Sequence, residues 1–144
     1  MSSLASKHMD NRGVIAKRLV SLLSSAAVRQ ADRAARVLIT LSSFTQDSSA
    51  NQVAIAKAGG IPPLITWLGN ASEDAQREAA AALLSLATDN ATTQVLIAKS
   101  NGIPPLIQLV SKGTPEAQES AARALWHLAS SAENQVRIGR EHRA

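Results

Sequence analysis

Apolar residues in the middle of the chain recur at spacings of three and four. Ala75, Ala79, Ala82, Leu83 and Leu86 form one stripe, and Ala117, Ala121, Ala124, Leu125 and Leu128 form another. That spacing puts each set on one face of an α-helix. Ser72 and Thr114 stand just ahead of the stripes, followed by Glu73-Asp74 or Pro115-Glu116. A hydroxyl there caps the first turn, and early carboxylates suit its positive end. Two shorter helices precede each long one. The first covers about residues 52–58 or 93–100 and ends at Gly59-Gly60 or Asn101-Gly102, residue types that suit a left-handed C-cap. The second opens at Pro62-Pro63 or Pro104-Pro105 and runs to about Leu68 or Val110. Proline is favoured in the first helical turn and excluded from the interior, so a proline pair marks a start.

The three-helix pattern is written twice. Residues 52–91 set against 94–133 give 19 identities in 40 positions at a shift of 42. The longest shared run is Gly60-Ile61-Pro62-Pro63-Leu64-Ile65 with Gly102-Ile103-Pro104-Pro105-Leu106-Ile107. A period near 42 is that of solenoid repeats built from two or three helices. The flanks are partial copies. Leu19-Val20 and Leu22-Leu23 echo the second helix, with Lys17-Arg18 in place of the proline pair. Ala34-Ala35, Val37-Leu38 and Leu41 echo the third at a shift of 45. Asn134-Gln135-Val136-Arg137-Ile138 copies Asn51-Gln52-Val53-Ala54-Ile55. The expected division is an N-terminal extension over 1–13, a partial repeat or cap over 14–50, repeats over 51–92 and 93–133, and the first helix of a truncated repeat over 134–144. The segment up to His8-Met9 reads equally well as an expression-vector remnant.

Composition agrees with helices alone. Of 144 residues 27 are Ala, with two Trp, one Phe and no Tyr. Ala freezes no rotamers, is the best helix former and lets helices approach closely. The chain has no Cys, which removes disulfides, thiolate metal sites and a Cys nucleophile. No apolar run approaches the roughly 20 residues that span a bilayer. The polar start is unlike a secretory signal, so an intracellular, cytoplasmic or nuclear setting is expected. Charge is uneven: residues 1–48 carry seven basic and three acidic groups, 49–92 two and four, 93–144 six and four.

Asn51-Gln52, Ile55-Ala56, Gly59-Gly60-Ile61-Pro62-Pro63-Leu64 and Ala124-Leu125-Trp126 resemble the armadillo repeat family, over roughly residues 14–141. The likeness is closer to plant and protist members than to importin alpha. It implies an all-α fold, a right-handed armadillo-type α-solenoid of three-helix repeats. It also implies a concave groove lined by the third helix of each repeat, where extended peptides or partner proteins bind. Importin-alpha-like members carry a Trp and, four residues later, an Asn on that helix. The Trp positions correspond here to Arg36, Ala81 and Arg123, and the Asn positions to Thr40, Ser85 and His127. Neither ladder is present, which argues against a nuclear-import cargo adaptor.

The remaining groove is polar and partly basic. Its candidate partner-binding residues are Arg29, Arg33, Arg36 and Thr40 on the first unit's third helix, Glu78, Ala81 and Ser85 on the second, and Glu119, Arg123 and His127 on the last. Guanidinium groups pair with carboxylates in a forked geometry, so an acidic or mixed peptide is the expected ligand. Ordinary solvated charges on long helices explain the same residues equally well. Trp67 and Trp126 are expected in the core or between repeats. His127 lacks companion ligands, since His8 and His142 lie near opposite ends. No phosphate-binding glycine loop or Ser/His/Asp arrangement stands out, so no catalytic residue, metal or cofactor is expected. Nucleic acid or another acidic surface on the basic N-terminal unit is the rival reading, weakened by the shortage of aromatics for base stacking. Val136 and Ile138 lack a second helix to pack on; a fragment of a longer array is the favoured explanation, with end-to-end self-association as a consequence.

Overall fold

Residues 3–26, 29–69 and 72–131, described by a computed structural model, form eight helices and no strand. They are α1 (Ser3–Ser25), α2 (Ala31–Thr45), α3 (Ser49–Lys57), α4 (Ile61–Leu68), α5 (Glu73–Ala87), α6 (Ala91–Lys99), α7 (Ile103–Lys112) and α8 (Pro115–Leu128). The helix expected over 134–144, with Val136 and Ile138, lies outside the described residues. The arrangement is an all-α solenoid. Helices α3, α4 and α5 recur as α6, α7 and α8, and each long helix packs on the next: α2 on α5, and α5 on α8.

Local signals set the helix ends. Ser72 Oγ accepts from the Ala75 N–H at 3.3 Å, and Thr114 Oγ1 from the Ala117 N–H at 3.3 Å. Ser48 and Asn90 cap α3 and α6 in the same way, at 3.2 Å each. Those two helices therefore start a few residues before the expected positions. Gly59 (φ 82°) and Asn101 (φ 64°) take the left-handed conformation just past α3 and α6. The N–H of Gly60 then reaches the Ile55 carbonyl, and that of Gly59 reaches Ala56, which satisfies carbonyls the helix would leave open. The proline pairs fall in the first turns of α4 and α7.

The first unit departs from the pattern. Lys17-Arg18 stands where the proline pairs stand, and nothing else interrupts the helix, so α1 runs unbroken for 23 residues. The boundary drawn at 13/14 falls inside it. One face, Ala16, Leu19, Val20 and Leu23, is buried, and α1 packs on α2, α3 and α4. Gly13 lies in the interior of α1 with open space where a Cβ would stand. Glycine in a helix interior costs roughly 0.5–1 kcal/mol relative to alanine. Gly13→Ala should raise unfolding stability by about that amount, measured as a higher urea midpoint at constant slope. A lowered midpoint would show that the site is constrained.

Alanine does most of its work in α5, the central helix. Ala75, Ala79, Ala80, Ala82 and Ala87 are fully buried there beside Leu83 and Leu86. Small side chains on two faces let α2 and α8 both lie close.

Candidate functional site

The long helices α2, α5 and α8 pack one on the next, and the repeat shifts of 45 and 42 match their positions in rows. One row is Arg36, Ala81 and Arg123, and another is Thr40, Ser85 and His127. Arg33 and Arg36 are exposed on α2, as are Glu119 and Arg123 on α8. Arg29 is a correction. It sits in the turn before α2, whose first helical residue is Ala31, because the chain is still non-helical at the Gln30 cap. Thr40 is exposed, and its hydroxyl donates to the Arg36 carbonyl at 3.0 Å.

Helix α5 carries the more neutral centre of the face. Glu78 is half-buried and receives Arg77 Nε at 3.3 Å, while Arg77 also reaches Asp74 at 3.2 Å. One guanidinium is therefore shared between two carboxylates. Ser85 holds two helices together. Its hydroxyl donates to the Ser42 carbonyl at 3.1 Å and lies 2.8 Å from the Thr45 hydroxyl, both on α2. A hollow of about 320 Å³ opens beside it, where Ala81, Leu84 and Ser85 of α5 and its C-cap Thr88 meet Asp47 and Arg123. The hollow gathers three of the candidates, Ala81, Ser85 and Arg123. Among the described residues, Arg33, Arg36 and Arg123 take part in no ion pair, and no three His, Asp or Glu side chains group as metal ligands.

Polar side chains behind this face join helices within and between repeats. Gln52 Nε2 donates to the Ser85 and Thr88 carbonyls at 2.8 and 3.2 Å, and its Oε1 accepts from Asn90 at 2.8 Å. One repeat later, Gln94 Nε2 donates to the Ala87 carbonyl at 2.9 Å and its Oε1 accepts from Ser130 at 3.1 Å. Asn51 donates to the Phe44 carbonyl, and Thr93 to the Leu86 carbonyl. The last carbonyls of α2 and α5 thus find partners on neighbouring short helices. This fixes the turn that presents each long helix.

The two tryptophans part company. Trp67 is buried in α4, as expected, but Trp126 is 73% exposed. Its indole meets His127 edge-on, with ring centroids 5.1 Å apart and planes at 81°. It belongs to a third row, Ile39, Leu84 and Trp126, three residues beyond Arg36, Ala81 and Arg123. Ile39 is 49% exposed and Leu84 half-buried. The same shifts of 45 and 42 that located the polar rows would have located this one. Matching Trp126 to Leu84 suggested packing because leucine is so often core.

Residues 48–88 and 89–130 each match the repeat profile described as armadillo/beta-catenin-like repeat. The chain belongs to the armadillo repeat family. Solved structures repeat the armadillo arrangement over most of it. One engineered protein is 27% identical, with 86% of this chain and 51% of that chain aligned and a TM-score of 0.77. A second is 28% identical over 85% of this chain and 29% of its own, with a TM-score of 0.79. A designed armadillo repeat protein solved in complex with peptide (KR)4 is 23% identical over 85% of this chain and 50% of its own, at a TM-score of 0.74, which speaks to the fold alone. This chain spans about half or less of the length of these three structures. No match was found among curated proteins. Among the described residues no helix is long and apolar enough to cross a membrane.

Proposed function

We propose that this armadillo chain is a non-enzymatic interaction scaffold that binds an extended, acidic or mixed peptide across α2, α5 and α8. The observation that carries the reading is the set of three exposed guanidiniums, Arg33, Arg36 and Arg123, on neighbouring long helices without carboxylate partners among the described residues. Such groups pair with carboxylates in a forked geometry. Thr40, Glu119 and His127 border the track, and Glu78, Ala81 and Ser85 form its middle. The peptide bound by the designed relative, (KR)4, is basic, and the arginines here would repel it. The missing Trp and Asn ladders fit kinship with plant and protist armadillo proteins better than with importin alpha.

A second reading rests on a different place. A hollow of about 570 Å³ between α1 and α3 has Arg12, Lys17 and Lys57 among its lining residues. Three cations there suit a polyanion such as nucleic acid. One experiment separates the two. Fluorescence anisotropy with a Glu/Ser-rich dodecapeptide should show binding that weakens about tenfold in Arg33→Ala/Arg36→Ala/Arg123→Ala, since each lost pair is worth up to about 1 kcal/mol. Unchanged peptide binding in the triple variant would sink the groove reading. Oligonucleotide binding lost in Arg12→Ala/Lys17→Ala/Lys57→Ala would establish the rival.

A further inference from the structure

The third row of the long-helix face has no part in the reading above, which used only charge. Ile39, Leu84 and Trp126 occupy one position in three successive helices. Single exposed apolar side chains are ordinary on a soluble surface, whereas apolar groups gathered on one face mark interaction sites; here Ile39 and Trp126 are exposed and Leu84, partly packed on the core, lies at the matching position between them. Trp126 is the most exposed large hydrophobic residue among those described. An exposed indole offers a large, rigid contact area that loses little rotamer freedom on binding, which is why Trp dominates binding hot spots. The edge-on contact with His127 braces it.

The neighbours of this row decide what lies on it. Arg36 and Arg123 stand one helical turn before Ile39 and Trp126, and i, i+3 residues share a face. Leu84 and Arg123 line the same hollow as Asp47, which forms no ion pair with Arg123. Each apolar position therefore has an arginine on its own helix or on the next. A basic or purely apolar segment would leave these cations repelled or desolvated without a partner, at a cost to binding.

We infer that the ligand of this face is a peptide pairing aromatic or branched aliphatic side chains with adjacent carboxylates, the apolar groups on Leu84 and Trp126 and the carboxylates on Arg36 and Arg123. The inference rests on the peptide-scaffold reading and adds the apolar half of the specificity. It gives Trp126 the anchoring role and Arg123 the charge selection.

The test is selection from a displayed library of random dodecapeptides against the intact chain, run in parallel on Trp126→Ala and Arg123→Ala. Both side chains are exposed, so each variant should keep its circular-dichroism melting curve, which is checked first. Expected winners carry Asp or Glu next to Leu, Ile, Phe or Trp. Re-synthesised winners should bind Trp126→Ala about tenfold or more weakly. They should also shift the indole emission of a Trp67→Phe chain to the blue as Trp126 leaves water. Acidic winners without apolar residues, indifferent to Trp126→Ala, would overturn this inference and leave the peptide reading standing. Basic winners, or no enrichment at all, would overturn both. A single-stranded dodecanucleotide whose binding depends on Trp126 would show instead that the indole stacks on bases.

Discussion

Leu83→Ala should destabilise the chain by about 3–5 kcal/mol. Leu83 is fully buried in α5, the helix that packs on α2 and α8 at once. Truncation removes three methylene-scale groups from the core and leaves a cavity that helices held by small alanines cannot readily close. The cost in comparable sites runs from transfer alone to transfer plus a cavity term. For a domain of this size the shift in Tm should be about 10 °C or more. Position in the array raises the stakes. In a solenoid, stability is close to a sum of repeat terms and nearest-neighbour interfaces, and α5 contributes to both of its interfaces. Thermal unfolding followed by circular dichroism should therefore lose steepness as well as midpoint, because the two ends of the array lose their shared neighbour. Val14→Ala on the exposed side of α1 is the matched control, expected within about 0.5 kcal/mol of the parent. Equal effects at the two positions would mean that α5 is not the keystone of the array.

Apart from the starts of α3 and α6, helix starts and stops were legible in the sequence because their causes are local. A proline pair, a Ser or Thr cap and a Gly-Gly stop each act on residues within one turn, so reading them needs no knowledge of the fold. The continuous α1 was harder to see. Its cause is a missing breaker at Lys17-Arg18, and the echo of the repeat that follows invited a boundary at 13/14. The site was legible in part. Repeat arithmetic placed Arg36, Ala81 and Arg123 at one position of α2, α5 and α8, and two of them, Ala81 and Arg123, line one hollow. It could not show that the Ser85 hydroxyl would be engaged with Ser42 and Thr45, about 40 residues away in sequence. Nor could it tell Trp126 from Leu84. Both occupy the same helical position, but Leu84 borders a hollow shared with Arg123 of the next helix. Equivalence in a repeat carries a side chain's direction, and not the neighbour that covers it.

The same distinction makes the two junction positions after α3 and α6, Gly59-Gly60 and Asn101-Gly102, unequal. At the first of the pair the repeats differ, Gly59 against Asn101, and both take positive φ. Only backbone conformation matters there, since a Cβ on Gly59 would meet nothing within 4 Å. Asn tolerates the left-handed region, so Gly59→Asn should cost at most a few tenths of a kcal/mol, roughly the margin of an ordinary surface change. At the second of the pair both repeats keep glycine, with φ near −79° and no conformational reason for it. Space is the reason. A Cβ on Gly102 would stand 2.8 Å from Ile97 Cγ2 and 3.0 Å from the Ile97 carbonyl oxygen, with Ile65 Cδ1 at 3.2 Å. Ile97 is buried, and its carbonyl already accepts the Gly102 N–H at 3.0 Å. A methyl group there must push back the end of α6 or break that bond. Gly102→Ala should therefore cost about 1–3 kcal/mol, the usual range for overpacking, although alanine suits the backbone angle. Gly60→Ala should behave alike, because its Cβ would stand 2.7 Å from Ile55 Cγ2 and 3.0 Å from Val20 of α1. Urea denaturation of Gly59→Asn and Gly102→Ala side by side checks the argument. A larger loss at Gly59 would mean that backbone freedom, not close approach, governs the junction.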